Sequence, residues 1–202
     1  MQSLTLCRRD YKGCIAFSLG TGEIQRDLLN DLHYLSLVEA SRLIENAQLP
    51  CTELVEAHLA RIRETDRVLN SFITLLSDES LSQARDVSSQ IRSGNHLGAL
   101  HGIPVGLKDL YYTKNLRTTI GSKITADFVP DYDASVTEKF KNAGAVLLGK
   151  LQMHEFALGV TSENPHYGPA HNPWDIDYIT GGSSGGSGSS VASGQCMAAL
   201  GS

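Results

Sequence analysis

Residues 180–194 read TGGSSGGSGSSVASG, six glycines and six serines in fifteen positions. Serine hydroxyls bracketed by glycines offer a nucleophile or a proton relay, on backbone that a substrate can approach closely. A serine needs a base, and no histidine of this chain lies in a triad-like motif. The candidate base is Lys108, which ends the apolar stretch PVGLK. An unperturbed lysine titrates at about 10.4, so it accepts a proton near neutrality only where burial and its neighbours pull that value down. The apolar residues 103–107 can supply such burial. Taken alone, Lys108 also reads as a strand-end lysine that snorkels to water, and the glycine-serine run as a flexible tether. Against a tether stands the sequel: Val191, Ala192, Cys196, Met197, Ala198, Ala199 and Leu200 resume an apolar, helix-compatible pattern at once.

The elements that must position these residues are visible upstream. Ser36 and Glu39 have capping-box spacing, and Leu37, Ala40, Leu43 and Ile44 form one apolar helical face. Thr52 and Glu53 open a second helix with Leu54, Val55, Leu59 and Ile62 on one side. SFITLL, residues 71–76, reads as a strand, and residues 78–93 as a third amphipathic helix ended by Gly94. A strand within GIPVGLKDL follows, then a helix capped by Asp133, carrying Val136 and Phe140 and closed by Gly144, then the buried strand AVLLG. Strands separated by helices, with apolar runs of this kind, predict an α/β sheet covered on both faces.

Three other patterns carry less. Residues 144–150 spell GxxxxGK, but Leu151 stands where a phosphate-binding loop needs Ser or Thr, and AVLL fits a buried strand better than a loop of exposed amides. His154, His166 and His171 lack metal-ligand spacing, and His154-Glu155 reads as a structural pair. Asn172-Pro173-Trp174 reads as a packed corner in which Trp174 supplies apolar area. Neither a cofactor nor a metal is expected.

HGIPVGLKDL, Gly121-Ser122, GAVLLGKLQMHEFALG, SENPHYGPAHNPWD and TGGSSGGSGSSVASG, in that order, resemble the amidase signature family of serine amidohydrolases, from about residue 35 to the chain end. Within it the chain looks most like the glutamine-hydrolysing chains of amidotransferases and stand-alone amidases. The resemblance implies a central mixed sheet covered by helices, incomplete at the C-terminus, and a Ser-cisSer-Lys triad that cleaves linear carboxamides through an acyl-enzyme. Lys108 matches the general base, and Ser183 the serine that joins its neighbour through a cis peptide and relays the proton. Flanking glycines relieve the clashes such a bond brings, and Ser184 and Ser187 are candidates to hold the loop. The resemblance places the nucleophile in a DTGGS-like segment about five residues past Ser202. Residues 1–34 are therefore expected to be an extension, and residues 35–202 the N-terminal part of an amidase domain. Such a chain by itself is expected to be inert, lacking nucleophile and oxyanion donors. The alternatives are a glutamine-hydrolysing subunit of a tRNA-dependent amidotransferase, which needs companion subunits, or a noncatalytic remnant.

Composition narrows the rest. At 202 residues with 41% hydrophobic and 19% charged residues the chain can build a proper core. A net charge of -5 disfavours direct nucleic-acid binding. Cys7, Cys14, Cys51 and Cys196 form no CxxC pair, which fits a reducing, cytoplasmic setting. No apolar run has the length of a membrane span.

Overall fold

The structure, a computed structural model, describes residues 7–10, 13–16 and 32–202. It divides into two compact units, Met1–Leu32 and His33–Ser202. In the first, β1 (Cys7–Asp10) pairs antiparallel with β2 (Gly13–Ala16), with Cys7 opposite Ala16. Most of the extension expected over residues 1–34 lies outside the described residues.

The second unit begins with α1 (Leu37–Glu45), started by the capping box that its sequence announces. The Ser36 hydroxyl accepts from the Glu39 amide at 3.2 Å, and the Glu39 carboxylate accepts from the Ser36 amide at 3.0 Å. Helix α2 (Cys51–Leu69) buries Leu54, Val55, Leu59 and Ile62, and ends at Asn70 in the left-handed conformation. Next come β3 (Phe72–Leu75), α3 (Ser77–Arg92), β4 (Pro104–Lys108), α4 (Ser135–Asn142) and β5 (Val146–Leu151). Every residue of β4 and of β5 is buried, as expected for strands covered on both faces. The short ribbon of β6 (Glu163–Asn164) and β7 (Gly168–Pro169) precedes α5 (Gly185–Ala192) and β8 (Ala198–Leu200).

The main sheet has the order β3-β5-β4-β8, with β3 antiparallel and β4, β5 and β8 mutually parallel. This is an α/β fold with a central mixed sheet flanked by helices. Leu107 and Leu147 from adjacent strands pack with Leu76, and Phe140 of α4 covers them.

Three readings of the sequence need correction. Asp133 does not cap α4, which starts after Ala134; its carboxylate instead accepts from the Lys114 amide at 2.7 Å and from Lys141 Nζ at 2.6 Å. The helix placed after the glycine-serine run lies inside it, and residues 198–200 form a strand. Pairing decides this: Ala198, Ala199 and Leu200 sit opposite Val105, Gly106 and Leu107 of the buried β4, a partner that periodicity in the segment itself does not reveal. Trp174 is 70% exposed and supplies little core area. Its turn is held by polar atoms, with the Trp174 amide donating to Asn172 Oδ1 at 3.0 Å.

Candidate active site

Lys108 closes β4 and is fully buried. Its Nζ donates to Ser183 Oγ at 2.6 Å and to Ser202 Oγ at 2.9 Å. The snorkelling alternative is therefore excluded. Loss of hydration on burial pushes the Lys108 pKa below the ordinary lysine value. Both side chains within hydrogen-bond reach of this nitrogen are hydroxyls, which bring dipoles but no negative charge.

Ser183 stands at the turn into α5, and the Gly182–Ser183 peptide is cis. Its carbonyl accepts from the His154 amide at 3.0 Å, which ties the turn to the chain leaving β5. The glycines around it are set by close approach. A Cβ on Gly182 would lie 2.7 Å from Ser162 Oγ and 2.8 Å from Ser162 N; on Gly185 it would strike Ser162 Cβ and Thr180 Oγ1. Ser162 Oγ in turn accepts from the Gly185 amide at 2.9 Å. The loop is thus packed against the 161–162 turn, not tethered in solvent.

Ser184 and Ser187, the candidates for holding this loop, bond to the strand beyond it. Ser184 Oγ donates to the Ser202 carbonyl and accepts from the Ser202 amide, both at 3.0 Å. Ser187 Oγ donates to the Leu200 carbonyl at 3.1 Å. Ser202 is thereby brought onto Lys108.

Sequence reasoning missed what surrounds the lysine. Next to it, Asp109 and Lys150 form an ion pair at 3.1 Å with both side chains fully buried. Lys150 Nζ also donates to Thr118 Oγ1 at 2.7 Å, and Asp109 Oδ2 accepts from the Thr119 amide at 2.8 Å. Burial pushes the Asp109 pKa up and the Lys150 pKa down, each only partly offset by the opposite charge. The lysine of the phosphate-loop-like GxxxxGK is therefore a partner of this aspartate. The available signal was a pair of charges, Asp109 and Lys150, each at or beside the end of an apolar strand run, where an unpaired charge is costly.

His154 and Glu155 do not form the expected pair. Glu155 Oε1 instead accepts from Ser122 Oγ at 2.6 Å and lies 2.9 Å from His166 Nε2. The Ser122 hydroxyl, with His166 behind it, holds the Glu155 pKa low. Among the described residues no group of three or more His, Cys, Asp or Glu side chains is placed to hold a metal ion. Nor, among those residues, is any helix long and apolar enough to cross a membrane.

Similarity to known proteins places this α/β chain in the carbon-nitrogen hydrolase class. A family model described as Amidase matches residues 53–202, and the chain belongs to that family. The A subunit of the glutamyl-tRNA(Gln) amidotransferase from Anaeromyxobacter dehalogenans is 46% identical over 171 residues, 85% of this chain and 35% of the relative. Among solved structures, the native peptide amidase from Stenotrophomonas maltophilia superimposes with a TM-score of 0.76 at 32% identity, over 81% of this chain and 35% of that one. The A subunit of the Thermotoga maritima glutamyl-tRNA(Gln) amidotransferase gives 0.68 at 32% identity, over 85% and 34%. The chain thus spans about a third of the length of these relatives.

Proposed function

We propose that this chain supplies the base and the proton relay of the glutamine-hydrolysing component of a cytoplasmic amidotransferase. The observation that carries this is the 2.6 Å contact between the buried Lys108 Nζ and Ser183 Oγ, with the Ser202 hydroxyl as the amine's other hydrogen-bond partner among the described residues. The names of the sequence relatives point the same way.

As a neutral amine, Lys108 has two hydrogens and one lone pair. One hydrogen serves Ser202 Oγ while the lone pair takes the proton of Ser183 Oγ; Ser183 then draws the proton from the family's nucleophilic serine, which follows residue 202 in the family pattern. That oxygen bonds to the carboxamide carbon. Collapse of the tetrahedral intermediate breaks the carbon-nitrogen bond, and the proton returns through Ser183 to the departing nitrogen, releasing ammonia. Water then cleaves the ester by the same relay, and companion subunits take the ammonia to its acceptor. Burial lowers the lysine pKa, the direction that proton acceptance by the amine requires.

The test is release of ammonia and glutamate from glutamine by the protein expressed from its own gene, with and without companion subunits. Lys108→Ala and Ser183→Ala should each lower kcat/KM by roughly a thousandfold or more. A Lys108→Ala protein with undiminished turnover refutes the reading. The peptide amidase likeness supports a second one, a stand-alone amidase for linear carboxamides; turnover of peptide amides but not glutamine, independent of any partner, would select it.

A further inference from the structure

The ladder between β4 and β8 ends at the pair Leu107 and Leu200. Ser202, which touches Lys108, lies beyond that last rung, so side chains must hold the segment that carries it. One clamp is Ser184, described above. The other is Tyr111, whose hydroxyl donates to the Gly201 carbonyl at 2.7 Å. Tyr111 is itself anchored at both backbone groups. Its amide donates to the Lys108 carbonyl at 3.0 Å, and its carbonyl accepts from Lys150 Nζ at 2.9 Å. The buried Asp109–Lys150 pair therefore fixes the pivot of the Tyr111 ring, and the ring reaches across to the strand end that the ladder no longer holds.

We propose that Tyr111 is a positioning residue, whose phenol keeps Gly201 and Ser202 seated over Lys108 and so keeps the amine buried among hydroxyls. The Asp109–Lys150 pair acts through it, as an anchor and not as a charge felt by the base. This inference rests on reading Lys108 as the general base, but it makes a claim about geometry that can be read without turnover.

The experiment is a titration of Lys108 followed by NMR on protein labelled with carbon-13 at the lysine ε-carbons, the signal being assigned by its absence from Lys108→Arg. Lys108 should titrate below the ordinary value of about 10.4. Tyr111→Phe removes one oxygen and keeps the ring. It should let water reach the amine and move the midpoint up by about one pH unit, roughly tenfold less neutral amine, with the melting temperature changed by only about 3 °C. An unmoved midpoint in folded Tyr111→Phe overturns the proposal. So does an ordinary lysine midpoint in the parent, and so does loss of cooperative melting in the variant, which would make the phenol a prop of the fold. Failure of the functional reading appears instead as absent turnover, whatever the Lys108 midpoint shows.

Discussion

Gly186 and Gly188 lie two residues apart in α5, and the same substitution should have opposite effects on them. A Cβ on Gly186 would lie 2.6 Å from both the nitrogen and the oxygen of Gln152 and would also strike the Ser71 carbonyl. All three are backbone atoms at the ends of β5 and β3, and none can swing aside as a side chain would. To reach ordinary contact the helix start must retreat by nearly 1 Å, which breaks the bond from the Gly186 amide to the Gln152 carbonyl at 3.0 Å. Overpacking of this kind costs about 1–3 kcal/mol, and the lost bond about 1 kcal/mol more; alanine's better helix propensity returns about 1 kcal/mol. Gly186→Ala should therefore destabilise by about 2 kcal/mol, lowering the melting temperature by about 6 °C in a chain of this size. Gly188 is exposed and has nothing within 4 Å of a built Cβ, so only the propensity gain operates there. Gly188→Ala should stabilise by about 0.5–1 kcal/mol, or about 2 °C. Thermal melts followed by circular dichroism give both numbers. Equal and small effects at the two positions would refute the claim that glycines in this run are there for backbone contact.

Two further predictions concern groups away from the site. His58 is buried, with Nδ1 3.0 Å from the Gly194 carbonyl and no hydrogen-bond partner for Nε2 among the described residues, and burial lowers its pKa to about 4. The unfolded chain takes up a proton at about 6.5 that the folded chain refuses, so this contribution is complete above pH 6.5 and is lost as pH falls toward 4, up to about 3 kcal/mol. Urea melts of the parent and His58→Gln should converge in stability over that window, and a difference independent of pH would contradict the assignment. Cys196 is fully enclosed, and burial pushes its thiol up to about 12. Iodoacetamide at pH 8 should leave it unmodified in the native protein and alkylate it in urea, as peptide mapping would show; native labelling at the rate of a free thiol would refute that.

The parts of this protein that were legible in its sequence are those written in local pattern. The capping box of Ser36 and Glu39 and the apolar face of α2 depend on residues three and four apart, and so they stand in the structure as read. Lys108 stands out at the end of an apolar run and Ser183 through the family resemblance, and the fold brings them to 2.6 Å. What could not be read depends on partners far away in sequence. GGSGSSVA has some of the poorest helix formers, yet it is α5, because its amides find Gln152 O and Ser162 Oγ and its glycines fit against the ends of β3 and β5. Ala198–Leu200 is too short for a strand pattern and becomes one beside β4. Asp133 has the residue type of a cap and is instead taken by Lys114 and Lys141.

The two buried lysines share a residue type and differ in what surrounds them. Lys108 and Lys150 lie on adjacent strands, Lys150 one register position short of the residue opposite Lys108, and neither is exposed. Burial depresses both pKa values. For Lys150 the Asp109 carboxylate works against that depression, and its nitrogen also has a carbonyl and a hydroxyl to donate to. An amine so surrounded gains most by keeping its three hydrogens, which suits an anchor. Among the described residues Lys108 Nζ has two hydroxyls as partners, and each of them can either accept or donate. Losing a proton there costs one hydrogen bond that Ser183 can replace by reversing its own direction. A reversible donor-acceptor pair is what proton transfer requires, and a carboxylate beside Lys108 would abolish it by fixing the charge. Moving a carboxylate to that position should therefore convert the proposed base into a second anchor, with the Lys108 titration moving upward and turnover falling with it.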